Sequence, residues 1–68
     1  MSKEAKATFR YVVNNQSGEV SVGAKSAVAK SEDDWKISLA LQAGQDVAEQ
    51  FNTGIRVIQL SLKSFETR

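Results

Sequence analysis

The 68-residue chain contains no cysteine and no histidine. Without cysteine no disulfide can form, and without either residue the usual ligands of a structural zinc site are missing. Histidine is also the commonest general base and the commonest activator of a nucleophile, so its absence disfavours acid–base and nucleophilic catalysis. We therefore expect a protein that is not an enzyme and that needs no metal and no cofactor.

Long apolar runs are also missing: no stretch approaches the roughly 18 residues of a membrane-spanning helix. The first six residues, MSKEAK, are polar and lead into no apolar segment of the signal-peptide type. We expect a cytoplasmic protein that does not act at a membrane. Because the chain also lacks proline, internal repeats and low-complexity tracts, we expect a single domain over residues 1–68, with frayed ends at 1–5 and 66–68.

The small size of the chain limits its core. A domain of about this length buries only about 60% of the surface that its unfolded chain exposes. Small domains usually gain further stability from disulfides, metals or association with another subunit. Since the first two are excluded here, the sequence predicts self-association.

Residues 6–24 predict a β-hairpin. Ala7, Phe9, Tyr11 and Val13 alternate with more polar residues, which is typical of a strand with one buried face. The segment 14–18, NNQSG, is rich in residues that tolerate positive φ and predicts a turn. A second alternating run follows, with Val20, Val22 and Ala24 in one phase.

Residues 31–54 fit two interpretations. As a helix over 32–53, the segment has Ser31 as N-cap, three acidic residues in its first turn and Gly54 just beyond its end. Its apolar arc would comprise Ile37, Ala40, Leu41, Gly44, Val47, Ala48 and Phe51, with Trp35 and Leu39 at the edge. As a strand, residues 35–42 alternate cleanly and would precede a turn and a short helix. We favour the helix, because it accounts for about twenty residues and supplies both ends.

Residues 55–65 predict a strand in which the alternation of apolar residues changes phase. Ile55 and Val57 share one phase, while Ile58, Leu60 and Leu62 share the other. A β-bulge between Val57 and Gln59 would reconcile the two phases, as would a strand buried on both faces. The predicted fold is therefore α+β, with a three-stranded antiparallel sheet and one helix packed on it in the order β-β-α-β. The alternative is a four-stranded β meander with a short helix.

The predicted core combines helix and sheet residues. Its members are Ile37, Leu41, Val47, Phe51 and Leu60, with part of Phe9 and Tyr11. One helix covers only one face of a sheet, so the second apolar phase of the last strand would meet water unless a second subunit covers it. We expect a homo-oligomer whose interface comprises Ile55, Val57, Ile58, Leu60 and Leu62.

Charge is distributed unevenly along the chain. Residues 1–31 hold five basic and two acidic residues, residues 32–54 one basic and five acidic, and residues 55–68 three basic and one acidic. The sheet is therefore basic and the helix acidic. Basic sheets that carry aromatic residues bind single-stranded nucleic acid, although Phe9 and Tyr11 also fit the core. A partner or nucleic-acid surface would comprise Arg10, Tyr11, Lys25, Arg56 and Lys63.

Two functions follow from these features. The first is a small binding or accessory module that acts through protein–protein contacts, associates with itself and has a protein partner. The second is a nucleic-acid-binding protein that uses the basic sheet. Their affinities should respond differently to salt, because phosphate contacts weaken steeply with ionic strength and apolar contacts do not.

Overall fold

The order of elements is β-β-α-β, as predicted, in a computed structural model that describes residues 2–68. The elements are β1 (Ser2–Val13), β2 (Gln16–Lys30), α1 (Glu32–Phe51), a 3₁₀ turn (Ile55–Val57) and β3 (Gln59–Thr67). The strands form one antiparallel sheet in the order β2-β1-β3. Helix α1 packs on one side of this sheet, and we call the uncovered side the open face.

The hairpin between β1 and β2 turns at Asn14 and Asn15. Both residues have positive φ, at 51° and 65°. Asparagine tolerates this left-handed conformation, and two such residues in succession match the right-handed twist of the flanking strands. The turn is shorter than the predicted segment 14–18, because β2 already begins at Gln16.

Residues 32–51 are helical, which decides against the β meander. The Ser31 hydroxyl accepts a hydrogen bond from the Asp34 backbone N–H at 3.2 Å, so the predicted N-cap is confirmed. The predicted C-terminal glycine is wrong. Asn52 takes the left-handed position, with φ 52° and ψ 50°, whereas Gly54 has an extended conformation with φ −82°. Asparagine is the residue after glycine most often found in this role.

The side of α1 that faces the sheet differs from the predicted arc. Trp35, Leu39, Ala43 and Val47 are 0–1% exposed and follow one another at intervals of four residues. By contrast, Ile37 and Leu41 are 62% and 57% exposed, so their assignment to the core is wrong. Trp35 accounts for this rotation, because its ring is buried and its indole N–H donates to the Ser2 carbonyl at 2.8 Å.

The core lies between α1 and the alternate residues of β1. Its β1 members are Ala5, Ala7, Phe9, Tyr11 and Val13, each at most 9% exposed. Of the other predicted core residues, Val47 is fully buried, whereas Phe51 and Leu60 are only partly buried. The Tyr11 and Phe51 rings meet edge-to-face, with centroids 5.5 Å apart.

A 3₁₀ turn, and not the predicted β-bulge, accounts for the change of apolar phase before β3. Ile55 to Val57 form a 3₁₀ turn instead of strand, so these residues need not share a phase with β3. The irregularity within β3 lies further along, because Thr8 pairs with Ser64 and Phe9 with Leu62. Lys63 is therefore the extra residue of a bulge.

The ends of the described chain pair with each other. Ala5 lies opposite Thr67, and the Arg68 carbonyl accepts hydrogen bonds from the N–H groups of Lys3 and Glu4, both at 3.2 Å. The predicted fraying at 1–5 and 66–68 stays a prediction: the described residues among them, 2–5 and 66–68, lie against each other in the structure, and Met1 lies outside the described residues. Within residues 2–68, no helix has the length and apolar character needed to cross a membrane.

Candidate interaction surface

Large apolar side chains are exposed where α1 and β3 lie side by side. Helix α1 does not cover β3 as it covers β1, since only Leu60 and Phe65 of β3 are partly buried and none of its residues is fully buried. We call this surface the α1–β3 flank. Its five members are 44–62% exposed: Ile37, Leu41, Ile55, Val57 and Leu62.

Contacts of Lys36 and Gly44 show that α1 runs alongside the segment from Ile55 to Phe65. The Lys36 ammonium lies 5.4 Å from the centre of the Phe65 ring. Two turns further along α1, a Cβ added to Gly44 would lie 3.7 Å from Ile55 Cγ2 and 3.8 Å from Leu60 Cδ1. Leu62 lies between Leu60 and Phe65, so α1 passes beside it. At 100° per residue, Ile37 lies beyond Lys36 on the β3 side of the helix, and Leu41 lies on the side that faces away from the sheet.

The predicted oligomer interface is only partly exposed. Ile55, Val57 and Leu62 belong to the α1–β3 flank, whereas Ile58 and Leu60 pack against the core around Tyr11 and Val47. Sequence reasoning missed Ile37 and Leu41 as surface residues because it placed them in the core. The sequence did contain an indication of exposed apolar residues, because α1 carries more large apolar residues than one side of a helix can bury.

Each edge strand of the sheet has one irregularity: a single-residue bulge at Lys63 in β3 and a longer one between Lys25 and Lys30 in β2. On the outer strand β2, Lys25 lies opposite Glu4 and Lys30 opposite Ser2, so four residues of β2 face one residue of β1. Val28 protrudes within this irregular stretch and is 72% exposed. Irregularities of this kind prevent another strand from pairing along an edge. The regular stretches are Gln16–Lys25 of β2, which includes Glu19 and Lys25, and Gln59–Leu62 of β3, which carries no charge.

The open face of the sheet is polar. Its central rows across the three strands are Gly23–Lys6–Glu66, Ser21–Thr8–Ser64 and Glu19–Arg10–Ser61. Small residues in the first two rows leave a shallow groove of about 510 Å³. The hydroxyls of Thr8 and Ser21 are hydrogen-bonded to each other across this groove at 3.0 Å. The second apolar surface expected of the sheet is therefore not its open face but the α1–β3 flank.

Glu19 is the centre of a charged cluster on the open face. The Lys63 ammonium lies 2.5 Å from its Oε2, and Arg10 Nη2 lies 4.0 Å from the same oxygen. The hydrogen bond from Lys63 lowers the pKa of Glu19, and the positive charges of Lys63 and Arg10 add to this effect. The carboxylate partly neutralises two of the cations that were predicted to bind a partner.

The residues predicted for a partner or nucleic-acid surface do not all share one face. Arg10, Lys25 and Lys63 lie on the open face, while Arg56 lies in the 3₁₀ turn. Tyr11 lies on the opposite side and is only 9% exposed. All five aromatic residues of the chain pack on the helix side, so the cations of the open face have no ring beside them on which a base could stack.

The remaining chemistry of the described residues is limited. In residues 2–68 no group of three or more acidic side chains is placed to hold a metal ion. Every buried polar side-chain atom in this range has a hydrogen-bond partner. Comparison of the chain with protein-family models, with curated proteins and with solved structures gives no match, so the candidate surface rests on the geometry of this chain alone.

Proposed function

We propose that this protein is a small, non-enzymatic interaction module that acts through protein–protein contacts and associates with itself through the α1–β3 flank. The observation that carries the proposal is the exposure of the five apolar side chains there. Scattered apolar residues are ordinary on a protein surface, but several large ones exposed on neighbouring elements are a common mark of an interface.

The apolar contribution of this flank can be compared with the cost of association. Complete burial of a large aliphatic side chain contributes about 1.5–3 kcal/mol. The five members are roughly half exposed, so covering them would contribute about 4–7 kcal/mol per protomer on that scale. Association costs on the order of 4–15 kcal/mol in lost translational and rotational freedom. Apolar burial in two protomers, about 8–14 kcal/mol, is therefore comparable with the association cost, and polar contacts would decide how tight the complex is.

Analytical ultracentrifugation across a concentration series tests the proposal. We expect the mass to rise from the monomer value of 7.4 kDa towards a dimer. A matched pair of variants locates the surface, because Val57 on the flank is 55% exposed and Val12 on the open face is 41% exposed. Val57→Lys should weaken association, whereas Val12→Lys should not. A monomer at every concentration, or equal effects of the two variants, would contradict the proposal.

Binding of nucleic acid to the open face is the alternative, and its support is the group Lys6, Arg10, Lys25 and Lys63. Acidic residues counter these cations, since Glu4, Glu19 and Glu66 lie on the same face. Titration with a fluorescent single-stranded oligonucleotide at several salt concentrations separates the two functions. Binding that weakens steeply with salt and is lost in a double variant, Arg10→Gln with Lys25→Gln, would favour the alternative.

A further inference from the structure

The outer edge of β3 offers unpaired backbone groups next to the α1–β3 flank. An edge strand presents a row of free N–H and C=O groups, which is a template for another strand. Both edge strands keep a regular stretch. That of β2 carries Glu19 and Lys25, whereas Gln59–Leu62 of β3 is uncharged and adjoins the α1–β3 flank, so β3 is the edge that we expect to pair. Backbone hydrogen bonds formed there would add the polar contacts that apolar burial alone does not supply.

A two-fold axis restricts how β3 can pair with a copy of itself. Residues directly opposite each other in an antiparallel pair point to the same face of the sheet. Leu60 and Leu62 point to the helix side, because they pair with Tyr11 and Phe9, and Ser61 points to the open face opposite Arg10. An axis at Ser61 therefore places Leu60 opposite the partner copy's Leu62, apolar against apolar.

Charge supports the same register. With the axis at Ser61, Gln59 lies opposite the partner copy's Lys63, so no two like charges face each other. Lys63 is already paired with Glu19 in its own protomer. An axis at Glu66 would instead place two carboxylates directly opposite, which is destabilising. An axis at Leu62 would place Leu60 opposite Ser64, and these residues point to different faces because of the bulge at Lys63.

We propose that two copies of this chain pair antiparallel along β3 about a two-fold axis at Ser61, which joins their sheets into one of six strands. The inference rests on the proposed function and names its partner, a second copy of the chain, and its geometry. The two α1–β3 flanks then meet on the helix side, where Leu60 and Leu62 of each strand form the floor.

A single engineered cysteine tests this register, because the chain has no cysteine of its own. Directly opposite residues in an antiparallel pair have Cα atoms about 4.5–5.5 Å apart, a separation that a disulfide spans. The variant Ser61→Cys should therefore form a covalent dimer rapidly under mild oxidation. Ser21→Cys, on the same face but on β2, is the matched control and should remain monomeric on a denaturing gel.

Amide hydrogen exchange of the unmodified protein gives a second readout. Backbone N–H groups on the outer edge of Gln59–Lys63 should exchange more slowly at concentrations where the protein associates, while those on the edge of β2 should not change. Association in the centrifuge without Ser61→Cys crosslinking, or with protection confined to β2, would overturn the β3 pairing and leave self-association intact. A protein that is monomeric throughout would overturn both proposals.

Discussion

Leu39 and Leu41 lie two residues apart on α1 and differ in burial from 0% to 57% exposed. Replacing either by alanine removes the same atoms from the same helix, so the pair isolates the effect of burial. Leu39→Ala should leave a cavity between α1 and β1 and cost about 3–4 kcal/mol, within the range measured for buried leucines. Leu41→Ala should cost at most about 1 kcal/mol, since less than half of its side chain is covered.

The expected difference is large compared with the stability of the domain. At roughly 0.05–0.15 kcal/mol per residue, a chain of 68 residues has an unfolding free energy of about 3–10 kcal/mol. Leu39→Ala should therefore remove about a third or more of the unfolding free energy. Urea unfolding followed by the fluorescence of Trp35, the single tryptophan, gives both values.

Self-association has to be separated from folding in this comparison, because Leu41 belongs to the α1–β3 flank. Unfolding curves measured over a dilution series and extrapolated to the dilute limit give the stability of the monomer. There, Leu39→Ala should be the more damaging by at least about 2 kcal/mol. If Leu41→Ala costs as much as Leu39→Ala in that limit, the rotation of α1 described above is wrong.

Gly18, Lys63 and Asn52 offer further tests of the structure. Gly18→Ala should destabilise the protein by about 1–3 kcal/mol in thermal unfolding, because the new Cβ would lie 2.5 Å from the Tyr11 hydroxyl; an unchanged midpoint would contradict this. Lys63→Met should raise the pKa of Glu19 in an NMR titration, since it removes the hydrogen bond that lowers that pKa. A carboxyl group whose pKa is lowered by folding stabilises the folded state at pH values above its unfolded-state pKa, and this stabilisation is lost as the pH falls through its folded-state pKa. The variant should therefore lose less stability on acidification. Asn52→Ala should cost about 1–2 kcal/mol in urea unfolding and Asn52→Gly should not, because Asn52 has φ 52°; equal losses would refute a backbone origin.

Local patterns were enough to predict the order of elements. The alternation of Phe9, Tyr11 and Val13 and the capping hydroxyl of Ser31 depend on neighbours within a few residues, and such signals are present in the sequence itself. The end of α1 was harder to predict, because Asn52 and Gly54 both tolerate the left-handed conformation. Only the path of the chain into the 3₁₀ turn decides between them.

The rotation of α1 depends on contacts that the sequence of the helix does not contain. Apolar residues occupy well over half of its circumference, so arcs centred on Ile37 or on Leu39 are nearly equivalent as local patterns. The sheet favours the second arc because the Trp35 ring fits against β1 and its indole N–H finds the Ser2 carbonyl. The same ambiguity concealed two of the five members of the candidate surface, Ile37 and Leu41, since the residues excluded from the core became the exposed ones.

The sequence also did not determine which face of the sheet the helix covers. The phase of β1 showed that Phe9 and Tyr11 share a face, but not whether the helix covers that face. Packing decides this question, because the helix side takes the aromatic rings and leaves Arg10 outside. That β3 lies on the outside next to β1 was also undetermined, since the alternating pattern of a strand does not reveal its neighbours.

The sheet order β2-β1-β3 has a consequence for how the chain acquires its structure. The hairpin of β1 and β2 closes over a two-residue turn and can form early, whereas Ala5 and Thr67 are separated by most of the chain. Closing that long loop costs entropy before any contact compensates for it. Synthesis proceeds at about 5–20 residues per second. The edge of β1 that pairs with β3 therefore stays unpaired for some seconds until β3 has been made. In that interval the central strand of the finished sheet is itself an exposed edge, and the nascent protein is most prone to pair with the wrong strand.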